Sequence, residues 1–342
     1  MTRRIAVTGA SGFIGGAVTR AAVAAGHQVH AFGRRPASAL DPTHLADAPY
    51  RRWDIAAGVL ADPPEVDAVV HCAGSVTDFG RLADLRRTNV DGTAHVYDTF
   101  CGHPEHPGEG SVIFVHVSTA SVYAPRIPTV NATETDAPPA HDLPDAYGRS
   151  KSEAEDHLRR EGRTATILRP HAVYGPGDTT LLPRLLDAIR PTPLGPRLFA
   201  TGDGRQRVSL TSVGNLAQAC LLAATTPSEH LLSRRTFNIT DAEPVTLDDA
   251  LRAILKARSP KAVPIYLPYR AAYPIAATAE AMARAARLLT SLAGSEKAPK
   301  PPRLTRYAVR HLALERTLDI SAAREILRYR PEPTSFEGAE DW

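Results

Sequence analysis

The feature that most constrains this chain is a short apolar run that ends in glycines. Arg3 to Thr8 carries Ile5, Ala6 and Val7 in succession and passes directly into Thr8-Gly9-Ala10-Ser11-Gly12-Phe13-Ile14-Gly15. A continuous apolar run of this length predicts a buried strand. Gly9 lets the chain turn sharply off it. Gly12 lets the backbone come close to a pyrophosphate, and Gly15 lets the next helix pack on the sheet. That helix, over residues 12–25, would aim its N-terminal N–H groups at phosphate oxygens, and Gly26 stands at its C′ position. The unit predicts a bound dinucleotide touching Gly9, Ser11, Gly12, Phe13, Ile14 and Gly15. The spacing is G-x-x-G-x-x-G, not the commoner G-x-G-x-x-G.

The next strand, His27 to Phe32, bears on which dinucleotide. An NAD site usually ends this strand with an acid that bonds the ribose 2′-hydroxyl. Here the end reads Phe32-Gly33-Arg34-Arg35, without an acid and with two guanidiniums. Arginine matches a 2′-phosphate in charge and in fork geometry. NADP(H) is therefore the expected cofactor, with NAD(H) compatible.

Strand-like runs recur with helical stretches between them, at 5–8, 28–32, 50–53, 68–72, 112–118, 165–168 and 236–239. This alternation predicts an α/β fold with a doubly wound parallel sheet, whose ligands sit at the carboxyl ends of the strands. After residue 175 prolines at 176, 183, 191, 193 and 196 break the pattern. The expected division is a dinucleotide domain of residues 1–174 plus about 207–241, and a smaller substrate-binding domain of 175–206 plus 242–342. The part after 242 is expected to be helical, with a Pro-rich tail. Two loops are expected to be flexible, 103–110 and 131–144.

With 342 residues and a net charge of +3, the chain can build a proper core and implies no nucleic-acid surface. Cys72, Cys101 and Cys220 are odd in number and widely spaced. They fit a reduced, cytoplasmic protein and no disulfide scaffold. Cys101, His103 and His106 lack a fourth ligand at zinc spacing, so no metal is expected. No secretory signal opens the chain. The stretch from Ala271 to Gly294 is apolar but carries Pro274, Glu280, Arg284 and Arg287, so it is not read as a transmembrane segment. It reads as an amphipathic helix over a pocket or at a subunit contact, compatible with a homodimer.

Downstream, Tyr147-Gly148-Arg149-Ser150-Lys151 places a phenol and an ammonium four residues apart, on one helical face. An unperturbed tyrosine titrates near pH ~10, and a neighbouring ammonium would lower that value. Tyr147 is then the expected general acid for reduction and general base for oxidation. Thr119, at the end of a strand, is expected to donate to the substrate oxygen and stabilise developing alkoxide charge. His71 reads as a satisfied core histidine.

On these residues the chain resembles the extended short-chain dehydrogenase/reductase family of the epimerase/dehydratase type. The strings that carry the likeness are the glycine turn, Asp54-Ile55, Val70-His71-Cys72-Ala73-Gly74, Asn89-Val90-Asp91-Gly92-Thr93, Val117-Ser118-Thr119-Ala120-Ser121-Val122-Tyr123 and the Tyr147/Lys151 pair. Asp78-Phe79-Gly80, Leu168-Arg169-Pro170-His171-Ala172-Val173-Tyr174-Gly175-Pro176-Gly177-Asp178, Gly202-Asp203-Gly204 and Leu304-Thr305-Arg306-Tyr307 are similar to the 3β-hydroxysteroid dehydrogenase and sterol 4-carboxylate dehydrogenase group. Thr119 stands where many members carry serine, and supplies the same hydroxyl with a stiffer χ1.

The resemblance implies a Rossmann-type sheet and a Thr119/Tyr147/Lys151 catalytic set, with Lys151 bonding the nicotinamide ribose. It also implies cofactor contacts at Arg34, Arg35, Asp54, Ile55, Cys72, Ala73, Gly74, Asn89, Pro170 and Val173, with Asn89 bonding backbone. Ser75, Val76, Thr77, Tyr123 and His171 are the expected substrate contacts. Three functions fit: a ketone or secondary-alcohol oxidoreductase, a nucleotide-sugar epimerase, dehydratase or 4-ketoreductase, and a non-catalytic dinucleotide-binding protein. The first is favoured. Few cations lie in 264–294 before Arg284, so an uncharged or weakly charged ketone is the expected substrate.

Overall fold

The computed structural model describes residues 2–40, 42–77, 80–102, 112–123, 126–227, 235–292 and 305–342. Among the strings above, Asp78, Phe79, His103, His106 and Leu304 lie outside these residues, as does the 103–110 loop. Seven strands form the large sheet: β1 Arg4–Thr8, β2 Gln28–Gly33, β3 Tyr50–Arg52, β4 Ala68–His71, β5 Ile113–Val117, β6 Thr166–Pro170 and β7 Thr236–Ile239. Their order is β7-β6-β5-β4-β1-β2-β3, and every pairing is parallel. The order reverses between β1 and β4, which opens a crevice at their carboxyl ends. The main helices are α1 Phe13–Ala24, α2 Gly92–Cys101, α3 Ala146–Arg160, α4 Val213–Thr225, α5 Leu247–Arg258, α6 Tyr269–Leu292 and α7 Arg306–Ala313.

Both faces of the sheet are covered, so its strands are apolar throughout, and successive side chains go to opposite sides. Ile5 and Val7 join Val70, Val115 and Leu168 under α1 and α4. Ala6 joins Val69 and Phe114 on the other face, with Phe32, Trp53 and Phe100 in edge-on or tilted contact. This packing leaves the strand ends as the polar margin where ligand-binding groups collect.

The smaller region differs from the expected helical remainder. Strand Val263–Leu267 pairs in parallel with Arg197–Thr201, and Arg316–Leu318 pairs with Thr129–Ala132. Leu198, Leu247, Leu251 and Leu255 form a separate core there. The end of the chain turns back to the large sheet. Ile320, Ala323, Leu327 and Tyr329 pack in its first core, and the Tyr329 hydroxyl donates to the Thr240 carbonyl at 3.0 Å. Apolar residues spaced along this tail bury against α4 and β7, whereas the sequence division had placed it with 242–342. The 131–144 segment is also tied down: the Glu134 carboxylate accepts from Asn238 N–H, and Arg169 donates to the Glu134 carbonyl. Among the described residues no helix is long and apolar enough to cross a membrane.

Candidate active site

The glycine turn fits a diphosphate. Gly9 has φ +72°, and a Cβ there would stand 2.7 Å from Ala73 N. A Cβ on Gly15 would collide with the Gly9 carbonyl. Gly12 occupies the α1 N-cap position in an extended conformation, no side chain caps this end, and its first turn holds no acid. The orphan N–H groups and positive pole of α1 therefore face the crevice unopposed. Phe13 and Ile14 begin the helix, and Ser11 is buried beside β2. A Cβ on Gly33 would lie 2.5 Å from Ser11 Oγ and 2.7 Å from the Tyr50 hydroxyl. An acidic side chain thus has no room at position 33. Arg34 and Arg35 follow at once and are exposed, their carbonyls held by Arg52 Nε and the Tyr50 hydroxyl.

Asp54 caps the turn at 55–57 by accepting Ala56 N–H at 3.1 Å, while Ile55 is buried with Trp53. Cys72, Ala73 and Gly74 run off the end of β4 next to the glycine turn. Asn89 bonds backbone: its Oδ1 accepts Ser75 N–H at 2.7 Å, and its Nδ2 donates to the Ser75 carbonyl and to Ser150 Oγ. It lies in a π-turn at Arg87–Asp91, a geometry common at functional sites. Pro170 ends β6 in the core, and Val173 pairs with Thr211. Val76 is exposed, and Ser75 and Thr77 are partly so. His71 is fully buried with both ring nitrogens bonded, to Thr8 and Thr93 hydroxyls. Burial, then the Lys151 charge, brings its pKa down to about 3.

Thr119, Tyr147 and Lys151 come together where β5 ends against α3. Asp145 caps α3 by accepting Gly148 N–H, which sets Tyr147 in the first turn and Lys151 one turn on. Thr119 lies beside the Tyr147 phenol and acts on it; its Oγ1 accepts Ser121 N–H at 3.1 Å and donates to Ser121 Oγ at 3.2 Å. Lys151 Nζ donates to the Val117 carbonyl at 2.9 Å and to His116 Nε2 at 3.1 Å. Burial brings Lys151 down to about 8, while Glu155 and Cys72 favour its charge. The expected lowering of Tyr147 does not occur. Burial pushes the phenol up to about 12; the Thr119 hydroxyl pulls against this and the Asp145 carboxylate adds to it. The ammonium is directed at β5, so desolvation of the phenol prevails.

Two expected substrate contacts are committed elsewhere. Tyr123 is buried, donates to Asn238 Oδ1 at 2.6 Å and stacks under Arg169. His171 Nδ1 bonds the Ser209 carbonyl. Both line a cavity that has room for about one water (≈ 10 Å³), with His311 and Arg316. The 264–294 segment contributes less than expected, since Tyr266 bonds Asp248 and Arg284 pairs with Glu280; the Arg287 side chain lies outside the described residues. Instead α7 covers the pair. Tyr307 bonds Ser121 Oγ at 2.9 Å, and buried Arg310 donates to Tyr273 at 2.6 Å and acts on the Asp145 carboxylate.

Ser121, Arg310 and His116 were not singled out in the sequence, and neither was a buried ion pair behind the site. Arg169 Nη2 meets Glu155 Oε2 at 2.6 Å, and Ser118 Oγ and Arg159 also donate to Glu155. Burial opposes the Glu155 charge, yet Arg169, with Arg159 and Ser118, holds it at about 2. The i, i+4, i+8 spacing of Tyr147, Lys151 and Glu155 was the available signal.

Known proteins share this arrangement of strands. A 2-alkyl-3-oxoalkanoate reductase of Stenotrophomonas maltophilia is 29% identical, over 98% of this chain and 97% of its own. A 4-hydroxy-2-methyl-3-oxo-4-farnesyl-3,4-dihydroquinoline-1-oxide ketoreductase of Stigmatella aurantiaca is also 29% identical, over 98% and 95%. The human sterol-4-alpha-carboxylate 3-dehydrogenase is 29% identical over 78% and 70%. Among solved structures, the Thermotoga maritima UDP-glucose 4-epimerase with UDP-glucose superposes with a TM-score of 0.65 at 20% identity, covering 99% of this chain and 96% of that one. The UDP-glucuronic acid 4-epimerase of Bacillus cereus with NAD gives 0.64 at 21%, with 99% and 96% covered. At such identities these two likenesses speak for the fold. The model of the NAD dependent epimerase/dehydratase family matches residues 5–240, and the chain belongs to that family.

Proposed function

We propose that this protein is an NADP(H)-dependent oxidoreductase that moves a hydride between nicotinamide and a ketone or secondary alcohol, with Thr119, Tyr147 and Lys151 as its catalytic residues. The observation that carries this reading is the buried Tyr147 phenol beside Thr119, one helical turn from a buried lysine, next to a diphosphate-fitting turn. A bound nicotinamide supplies the hydride chemistry. The chain does the rest. Gly9, Gly12 and Gly15 admit the diphosphate, and Arg34 and Arg35 offer paired donors to a ribose 2′-phosphate. Tyr147, kept protonated by burial, has the proton that a carbonyl oxygen needs on reduction. Thr119 orients the phenol and the incoming oxygen together. Burial keeps the phenol protonated, the form that reduction consumes. The free cysteines support a cytoplasmic setting.

The names of the relatives support a ketone or sterol substrate. The nucleotide-sugar alternative draws on the shared fold alone and on Arg310 near the pair, a cation that an anionic substrate would use. The non-catalytic alternative leaves the Thr119–Tyr147 pairing without purpose. The test is a turnover screen with NADPH over ketone panels that include 3-oxo acids, polyketides and steroids. Carbonyl reduction with matching loss of NADPH is expected. NADPH binding with no turnover on any panel, together with conversion of a UDP-sugar, would overturn the reading.

A further inference from the structure

We infer that His116 is a positioning residue for Lys151, its imidazole Nε2 accepting one ammonium N–H and so fixing the ammonium against the end of β5, beside the site. The inference rests on the reading of Lys151 as part of a nicotinamide site. His116 lies on β5 between Val115 and Val117 and is fully buried. Lys151 Nζ is 3.1 Å from Nε2 and 2.9 Å from the Val117 carbonyl. A charged ammonium has three donors and no acceptor. Nε2 must therefore accept, and the ring proton sits on Nδ1. That Nδ1 is buried and has no hydrogen-bond partner among the described residues.

A core position that needed packing alone would not bury an unmet donor. The adjacent His71, whose ring centre is 5.3 Å away, has both nitrogens bonded. What His116 gains for its unmet nitrogen is the contact with Lys151. Two of the three ammonium donors are thereby fixed, and the third is left for the crevice. The groups facing Lys151 are His116 on β5, His71 and Cys72 at β4, and Glu155 on α3. Glu155 is already shared by Arg169, Arg159 and Ser118. Burial, then the Lys151, His71 and Arg159 charges, holds His116 well below its usual range, so it stays a neutral acceptor. Glu155 and Cys72 favour the charge of Lys151, and its two direct acceptors fix where the ammonium sits.

The test reads NADPH affinity against pH by fluorescence in the parent, His116→Phe and His116→Gln. Phenylalanine keeps the ring and removes the acceptor; glutamine restores a neutral one. In the parent, affinity should fall above about pH 8 as Lys151 loses its charge. In His116→Phe this limb should move about one unit lower, so affinity should drop about twofold at pH 7 and about tenfold at pH 9. His116→Gln should keep the parent limb. An unmoved limb in His116→Phe, or equal movement in both variants, overturns the inference. Should the phenylalanine variant not fold, nitrogen NMR of the parent decides: a proton on His116 Nδ1 is expected, and one on Nε2 overturns it. The tautomer is read without cofactor or ketone, so it stands apart from failure of NADPH to bind.

Discussion

Tyr147→Phe removes one hydroxyl and leaves the ring in the first turn of α3. Cofactor affinity should hold while ketone turnover falls about a hundredfold or more, the scale of general acid–base catalysis. Near-parent rates would show that another group gives the proton. At β2, Arg34→Asp should reverse cofactor choice, since an acid repels a 2′-phosphate and bonds a 2′-hydroxyl. Fluorescence titration with NADPH and NADH checks this, and tighter NADH binding by the parent protein would contradict the role given to the arginines. The glycine turn and the Tyr147/Lys151 spacing were readable from the sequence because each sits at a fixed offset inside one local element, whereas the backbone bonding of Asn89 was legible only through the family likeness. The raised pKa of Tyr147 was not readable, because it depends on desolvation and on where Lys151 points. His116 likewise reads as one more strand residue until β5 and α3 are side by side.

Helix α3 couples chemistry to stability along one face. Tyr147 and Lys151 face the site, and Glu155, one turn further, closes a buried pair with Arg169 of β6. Arg169→Leu should leave the Glu155 carboxylate buried without its main partner, at a cost of about 3–5 kcal/mol. Urea midpoints of parent and variant measure this, and a difference under about 1 kcal/mol would mean that the carboxylate finds water or another cation. On the substrate side, α7 rather than α6 touches Ser121. Saturating nucleoside diphosphate should leave ketone turnover unchanged if the substrate is an uncharged or weakly charged ketone. Competitive inhibition at micromolar uridine or thymidine diphosphate would instead assign Arg310 to a sugar nucleotide. The contribution of α7 was hidden because its partners, Ser121 and Tyr273, come from distant parts of the chain. The small strands were hidden too: three to five residues are too few to show a clear period, and Arg316–Leu318 finds its partner at Thr129–Ala132.

At the scale of the whole molecule, the parallel sheet was legible as repeated apolar runs with helices between them, and the return of residues 320–329 to its core was not. Ile320, Ala323 and Leu327 stand at helical spacing, but one short helix does not say which core it covers. The buried histidines also act on the molecule as a whole. His71 and His171 have folded-state pKa values lowered by burial to about 3 and about 4 from 6.5. The unfolded chain therefore binds more protons below about 6.5, and stability falls as pH drops from there towards the folded values. Glu155, lowered from 4.5 to about 2, adds its own loss below about 4.5. Urea midpoints should accordingly be lower at pH 5 than at pH 7.5; equal midpoints would mean that these rings are hydrated or paired in the folded protein. The central claim is net hydride transfer to a carbonyl, and deuterium tracing tests it most directly. With NADPH carrying deuterium at both C4 positions and a ketone that turns over, mass spectrometry should find one deuterium on the new carbinol carbon for each NADPH consumed. A product without deuterium, or conversion with no net loss of NADPH, would contradict it.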